Sequence, residues 1–150
     1  MKILNVGCGS QTYGTHFVDL YPKREGVLKA DVEKRLPFED ETFDVIMNQY
    51  LLDILPVEDF IPILLEFKRV LKDGGRVVLV NTTKGERWVN QIYEGIYKLK
   101  PPLLAGSRGV LAQPFLEKIG FSEFHREFIS QLGFPSEIVR GIKRNGVGLK

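Results

Sequence analysis

Two glycines and an aspartate near the start of the chain have the types and spacing of a nucleoside-binding site. Gly7 and Gly9 flank Cys8 directly after the apolar residues 3–6. Such a turn lets the backbone bend sharply and approach a ligand within contact distance. Asp19 closes the next apolar stretch, where a carboxylate can accept hydrogen bonds from ribose hydroxyls. Together these residues predict a strand, a glycine turn and a ribose-binding acid.

The interval between the glycines and the acid argues against a nicotinamide dinucleotide. The dinucleotide fingerprint needs a third glycine and places its acid about 20 residues further on. Here only nine residues separate Gly9 from Asp19. The interval is also too short for a full crossover helix, so we expect residues 10–15 to supply at most about one helical turn.

Five segments, in this order, resemble the class I S-adenosylmethionine (SAM)-dependent methyltransferases, in the branch of the ubiquinone and menaquinone C-methyltransferases. They are residues 4–9, 18–19, 30–32, 36–46 and 67–79. The resemblance covers roughly the first two thirds of the chain. It implies an α/β fold with a doubly wound, mostly parallel seven-stranded sheet (Rossmann-like) and a C-terminal antiparallel hairpin, and it implies SAM as methyl donor.

The resemblance also assigns cofactor contacts. Asp31 is expected to accept from the adenine amine, and the Val32 backbone N–H to donate to a ring nitrogen. Asn48 and Gln49, at the carboxyl edge of the fourth strand, are expected to contact the methionine moiety. Asn5 stands where relatives usually carry an acid that orients the turn, so it keeps a hydrogen bond and loses the charge. The full predicted set is Asn5, Gly7, Cys8, Gly9, Asp19, Leu20, Asp31, Val32, Asn48 and Gln49.

Each assignment has a structural alternative. Asp19 could cap a loop, Asp31 could be a solvated acid, and Asn48 with Gln49 could simply end a strand. Cys8, between two glycines, is expected to pack as a small apolar residue rather than act as a nucleophile. No cluster of cysteine or histidine at metal-ligand spacing is present, so no metal site is predicted.

The sequence does not identify a catalytic residue. Methyl transfer from a sulfonium depends on positioning, and a base is needed only where the acceptor must lose a proton. Tyr13 on the glycine loop could lie against the sulfonium or pack over the first strand. Tyr50 replaces a histidine that many relatives carry after the fourth strand. His16 and His125 are expected to be packed or surface residues.

Composition predicts one domain over residues 1–150. The chain is 43% hydrophobic and 27% charged, with a formal charge of +2 and interspersed signs, which gives little support to nucleic acid as a partner. It has one cysteine, no secretory signal pattern and no apolar run of about 18 residues. We therefore expect a cytoplasmic protein with no membrane partner.

Residues 82–113 are predicted to form the lid and substrate segment. Trp88, Tyr93 and Tyr97 are interleaved there with basic residues, which could form a pocket for a hydrophobic small-molecule acceptor or an ordinary amphipathic helix pair. The sequence also leaves three alternatives open: an RNA acceptor, a homodimer, and a partner subunit that completes the pocket. The predicted function is a SAM-dependent methyltransferase, and the alternative is a non-catalytic SAM-binding regulatory or partner subunit.

Hydrophobic periodicity places the elements that would position these residues. A helix is predicted over residues 57–71, with Pro62 near its start and Asp73, Gly74 and Gly75 as its stop. Asp44 is expected to have a structural role at the start of the fourth strand. Further helices are predicted over 86–99 and 108–119, and strands over 2–6, 16–20, 27–30, 43–48, 76–81, 121–129 and 137–143.

Overall fold

A computed structural model describes residues 1–49, 51–52, 55–82, 112–131 and 134–144. A 3₁₀ turn, Val57–Asp59, leads into the first of two α-helices, α1 (Phe60–Val70) and α2 (Gln113–Lys118). The strands are β1 (Ile3–Val6), β2 (His16–Asp19), β3 (Val27–Lys29), β4 (Phe43–Gln49), β5 (Leu71–Thr82), β6 (Phe121–Gln131) and β7 (Phe134–Lys143).

The seven strands form one sheet in the order β3-β2-β1-β4-β5-β7-β6. The first five positions are parallel, whereas β7 pairs antiparallel with both β5 and β6. The predicted doubly wound sheet and its C-terminal antiparallel hairpin are therefore confirmed. The strand order reverses between β1 and β4, and open α/β sheets bind their ligands at the carboxyl ends of the strands beside such a point.

Among the described residues, the main buried cluster lies on one face of the sheet. Leu4, Ile46 and Val77 are aligned on neighbouring strands and belong to the same buried cluster as the inner residues of α1 and α2. The apolar stripe of α1, predicted from its periodicity, is buried in this cluster at Phe60, Ile63, Leu64, Phe67 and Val70. Adjacent strand residues point to the opposite face, so Asn5 and Met47 lie on the other side of the sheet from Leu4 and Ile46.

Helix α1 starts at Phe60 and ends within one residue of its predicted end. Pro62 lies in the first turn, where its missing N–H costs no helical hydrogen bond. The helix ends at Val70, within one residue of the predicted end at Leu71, and the chain then enters β5, so Asp73, Gly74 and Gly75 lie within β5 rather than at the helix end. The two glycines instead lie in a register shift of β5 against β4, with Gly74 at φ 78°.

The short connections also bear on the predictions. The residues between β1 and β2 contain no helix, in agreement with the limit of about one turn. Asp44 has the expected structural role, since its Oδ2 accepts from the Lys2 N–H at 2.7 Å and this bond lowers the pKa of the carboxyl. The helix predicted over 86–99 and the start of that over 108–119 lie outside the described residues. No helix in the described ranges has the length and apolar character needed to cross a membrane.

Candidate functional site

A cavity of about 290 Å³ lies at the carboxyl ends of β1, β2, β3 and β4. Parallel strands bring these ends to one edge of the sheet, so side chains far apart in sequence meet there. Its walls combine apolar groups with carboxylates and one amide. The lining residues are Val6, Gly7, Val18, Asp19, Leu20, Tyr21, Ala30, Asp31, Val32, Glu33, Gln49, Leu51 and Leu55.

The glycine turn begins directly at the end of β1. Gly7 and Gly9 have φ values of 65° and 56°, which favour glycine, and a Cβ atom on Gly9 would meet nothing within 4 Å. The Gly7 N–H donates to the Val18 carbonyl oxygen at 2.9 Å. The backbone here is therefore bent sharply and left open on the side of Gly9.

Asp19 ties this turn to the end of β2. Its Oδ2 accepts from the Gly9 N–H at 2.7 Å, and its Oδ1 accepts from the Tyr21 N–H at 2.8 Å. Leu20, which lines the cavity beside Asp19, is 42% exposed. The carboxylate thus organises two loops, and each oxygen keeps a lone pair for a further donor.

Asp31 occupies the corresponding place after β3. Its Oδ1 accepts from the Glu33 N–H at 2.9 Å, and its carbonyl oxygen accepts from the Lys34 N–H at 3.0 Å. This tight turn fixes the carboxylate and places Val32 in the cavity wall. Asp31 and Asp19 therefore stand at the ends of neighbouring strands on one cavity.

Asn48 lies just behind the cavity rather than in its wall. Its side chain is fully buried, and Nδ2 donates to the Val6 carbonyl oxygen at 2.8 Å. Its Oδ1 has no hydrogen-bond partner within the described part of the chain. Asn48 supports the end of β1, whereas Gln49, the next residue, lines the cavity.

Asn5 is buried beneath the glycine loop and does not line the cavity. Its Nδ2 donates to the Tyr13 carbonyl oxygen at 3.0 Å and to Gln11 Oε1 at 3.1 Å. Asn5 therefore orients the loop through two side-chain hydrogen bonds.

Two residues that sequence analysis missed also hold this loop. Gln11 Nε2 donates to Gln49 Oε1 at 3.0 Å, which connects the loop to β4. Arg24 donates from NH2 to the Gln11 carbonyl oxygen at 2.7 Å, and its guanidinium lies 4.2 Å from the centre of the Phe17 ring. No spacing rule in the sequence pointed to either residue.

The remaining candidates within the described residues lie at or beyond the margin of the site. Cys8 is 2% exposed, and burial raises the pKa of its thiol, with the nearby Asp19 charge as a second cause. Tyr13 is 65% exposed and contacts Asn5 through its backbone carbonyl oxygen. Tyr50 lies outside the described residues. His16 packs edge-on against Phe43 at the opposite, amino end of the strands.

His125 is on the edge strand β6, where it is exposed and pairs with Glu127 at 3.3 Å. Neither histidine lines the cavity. This placement agrees with the expectation of packed or surface histidines.

A family model described as a methyltransferase domain matches residues 4–79, from β1 to the middle of β5. The chain belongs to the class I SAM-dependent methyltransferase family. The matched range contains the glycine turn, Asp19, Asp31 and Gln49, so these cavity residues fall within the part that defines the family.

The chain matches only part of the length of its curated relatives. The demethylmenaquinone methyltransferase of Bacillus licheniformis is 33% identical over 94 residues, which cover 62% of this chain and 38% of the relative. The Bacillus subtilis protein of the same name is 32% identical over the same coverage. The match thus spans less than two fifths of these curated relatives.

Solved structures of the family share the fold. A SAM-dependent methyltransferase from Thermotoga maritima, described as a possible histamine N-methyltransferase, aligns with a TM-score of 0.72 at 21% identity, covering 95% of this chain and 82% of that one. A SAM-dependent methyltransferase from Archaeoglobus fulgidus aligns with a TM-score of 0.70 at 16% identity, covering 95% and 86%. The methyltransferase fold therefore extends beyond residue 79 into the C-terminal hairpin.

Proposed function

We propose that this chain binds SAM in the cavity at the carboxyl edge of the sheet and transfers its methyl group to a small-molecule acceptor. One observation carries the proposal: Asp19, Asp31, Gly7 and Gln49 come from the ends of four segments and line a single cavity. Their chemical types match the ribose, the adenine and the amino-acid portion of that donor.

The cavity fits the nucleoside end of the donor. Val18, Ala30 and Val32 offer an apolar wall to a flat base, while the carboxylates of Asp19 and Asp31 are acceptors for hydroxyl and amine hydrogens. Leu51 and Leu55 line the same cavity. A volume of about 290 Å³ is near the lower end of the range for small-molecule sites, which suits one nucleoside with a short extension.

Methyl transfer requires the protein mainly to position the donor and the acceptor. Bound SAM supplies a methyl group already activated by its sulfonium, so the chain must hold the donor and admit an acceptor in line with the carbon–sulfur bond. No histidine lines the described cavity, and Asp19 and Asp31 are positioned for the nucleoside. We therefore assign the chain proximity catalysis, with acceptors that do not need a strong base.

A small, uncharged or weakly charged acceptor is the class we propose. The formal charge of +2 over 150 residues gives little electrostatic attraction for a polyanion. Two relatives are named for demethylmenaquinone, so reduced aromatic quinones form the first group of acceptors to test. Histamine and other small amines form the second, after the name of the Thermotoga maritima neighbour.

The experiment has two stages. Calorimetric titration with SAM, S-adenosylhomocysteine and NAD should show micromolar binding of the first two alone; NAD binding, or no binding of the SAM-series ligands, would contradict the proposal. Release of S-adenosylhomocysteine is then followed with each acceptor group. SAM binding without turnover on any acceptor would contradict the transfer step and leave a SAM-binding subunit.

A further inference from the structure

Three amide side chains form a continuous hydrogen-bonded chain from the floor of the glycine loop to the cavity. Asn5 Nδ2 donates to Gln11 Oε1 at 3.1 Å, and Gln11 Nε2 donates to Gln49 Oε1 at 3.0 Å. Asn5 is fully buried, whereas Gln49 lines the cavity. The three residues come from β1, the glycine loop and β4, so the amide chain links the elements that enclose the predicted methionine site.

The direction of every bond in this amide chain is fixed by one backbone atom. Asn5 Nδ2 also donates to the Tyr13 carbonyl oxygen at 3.0 Å, and a carbonyl oxygen can only accept. Asn5 must therefore present its NH₂ group to Gln11, and Gln11 must accept this bond with its side-chain oxygen. Gln11 then has only its NH₂ group for Gln49, so the Gln49 oxygen is the acceptor and its NH₂ group remains.

This remaining NH₂ group has no hydrogen-bond partner within the described residues. We propose that Gln11 is a positioning residue that holds the Gln49 amide with its NH₂ group available as a donor for a carboxylate in the cavity. The carboxylate is the α-carboxylate of the methionine moiety, so the inference rests on the proposed SAM binding. Gln11 itself need not touch the ligand.

The amide chain also explains why asparagine rather than an acid suits position 5. A carboxylate there could not donate to the Tyr13 carbonyl oxygen, and Gln11 would have to turn its NH₂ group toward it. Gln49 would then turn as well and present its oxygen, which repels a carboxylate. Asn5, Gln11 and Gln49 are therefore a matched set whose polarity selects an anionic group.

Gln11→Glu tests this polarity with little change in shape. The introduced carboxylate can still accept from Asn5 but cannot donate to Gln49, so Gln49 should reverse and offer its oxygen to the cavity. Thr12→Glu is the matched control, because it adds the same charge at an exposed neighbouring position of the same loop. Both variants are compared with the unmodified chain after thermal unfolding confirms that they fold.

The probes are SAM and decarboxylated SAM, which differ only in the α-carboxylate. In calorimetric titration the unmodified chain should prefer SAM, and Gln11→Glu should weaken SAM binding about tenfold to a hundredfold while binding of decarboxylated SAM stays within about twofold. Thr12→Glu should keep the preference for SAM. Gln11→Leu, which removes the bond without reversing it, should give an intermediate loss for SAM alone.

Other outcomes separate this inference from the proposed function. Equal affinity of the unmodified chain for both probes, or equal loss of both in Gln11→Glu, would overturn the inference and leave SAM binding intact. Equal losses in Gln11→Glu and Thr12→Glu would show a general charge effect and also overturn it. Absence of binding of either probe to the unmodified chain would instead overturn the proposed function.

Discussion

The Oδ2 atom of Asp19 accepts a hydrogen bond from the Gly9 N–H across 2.7 Å, so the acid after β2 and the turn after β1 form one unit. Asp19 therefore holds the turn, and we propose that it also binds a ribose. The two tasks can be separated with ligands that lack ribose hydroxyls.

Asp19→Ala should weaken S-adenosylhomocysteine binding about tenfold to a hundredfold, because a charged acceptor is lost. An analogue without the 2′- and 3′-hydroxyls should lose less, since only the effect on the turn remains. Calorimetric titration of both ligands provides the measurement, with the exposed Glu25→Ala as control. Equal losses for the two ligands would reject the ribose contact.

Asp31→Ala should remove discrimination between adenine and hypoxanthine. The unmodified chain is expected to bind S-adenosylhomocysteine at least about tenfold better than S-inosylhomocysteine, because only adenine has an exocyclic amine for this carboxylate. The ratio of the two dissociation constants should fall toward one in the variant. A ratio unchanged by the substitution would mean that Asp31 only shapes its turn with Glu33.

Gly75→Ala should destabilise the protein by about 1–3 kcal/mol through overpacking. An added Cβ atom would lie 2.7 Å from the Lys72 carbonyl oxygen and 2.9 Å from the Leu71 side chain. Urea denaturation measures the loss, and SAM affinity should be retained because Gly75 is remote from the cavity lining. Gly9→Ala is the comparison variant. The added Cβ atom would meet no atom within 4 Å, so any loss of stability would come from the backbone conformation at φ 56°.

The free energy of unfolding should fall at acidic pH as Glu66 becomes protonated. Its Oε1 accepts from Arg69 Nε at 2.6 Å, and this pairing is the main cause that lowers the pKa of Glu66 below its ordinary value of 4.5. A lowered pKa in the folded state contributes stability above pH 4.5 that is lost as the pH falls through the folded-state value.

Glu66→Gln should therefore cost about 1–3 kcal/mol at neutral pH and flatten the dependence of unfolding free energy on pH below 4.5. Urea denaturation at a series of pH values makes the measurement. Glu39→Gln, which removes a carboxylate from the same region, should leave the slope unchanged. If Glu66→Gln retained the full slope, other carboxylates would carry the acid sensitivity.

The sheet was predictable from sequence because its strands carry strong local signals. Predicted strands ending at Val6, Leu20 and Asn48, together with the family resemblance, located the carboxyl edge and hence the neighbourhood of the site. The role of Asp73, Gly74 and Gly75 was not predictable, because these residues have the composition of a helix stop but lie in a register shift of β5 against β4. Whether two glycines end a helix or shift a register depends on the pairing of Leu71 with Phe43, a contact between distant segments.

In the candidate site, too, residues with local sequence signals were predictable and residues that depend on contacts between distant segments were not. Asp19 and Asp31 follow apolar runs in the expected order, so the sequence pointed to both, and the structure places both in the cavity wall. Gln11 was missed because it and its partners Asn5 and Gln49 lie in three different segments and no spacing rule links them. The same holds for Arg24, whose partner atom is a backbone carbonyl oxygen.

Because β7 lies between β5 and β6, this part of the sheet can form only after β7 has been synthesised. A ribosome releases β5 and then β6, yet β6 has no strand to pair with until residues 134–143 emerge and insert between them. The edge of β5 stays unpaired during this interval, and an unpaired edge can join other chains. Nascent chains that stop before residue 134 should therefore aggregate more than those that include β7.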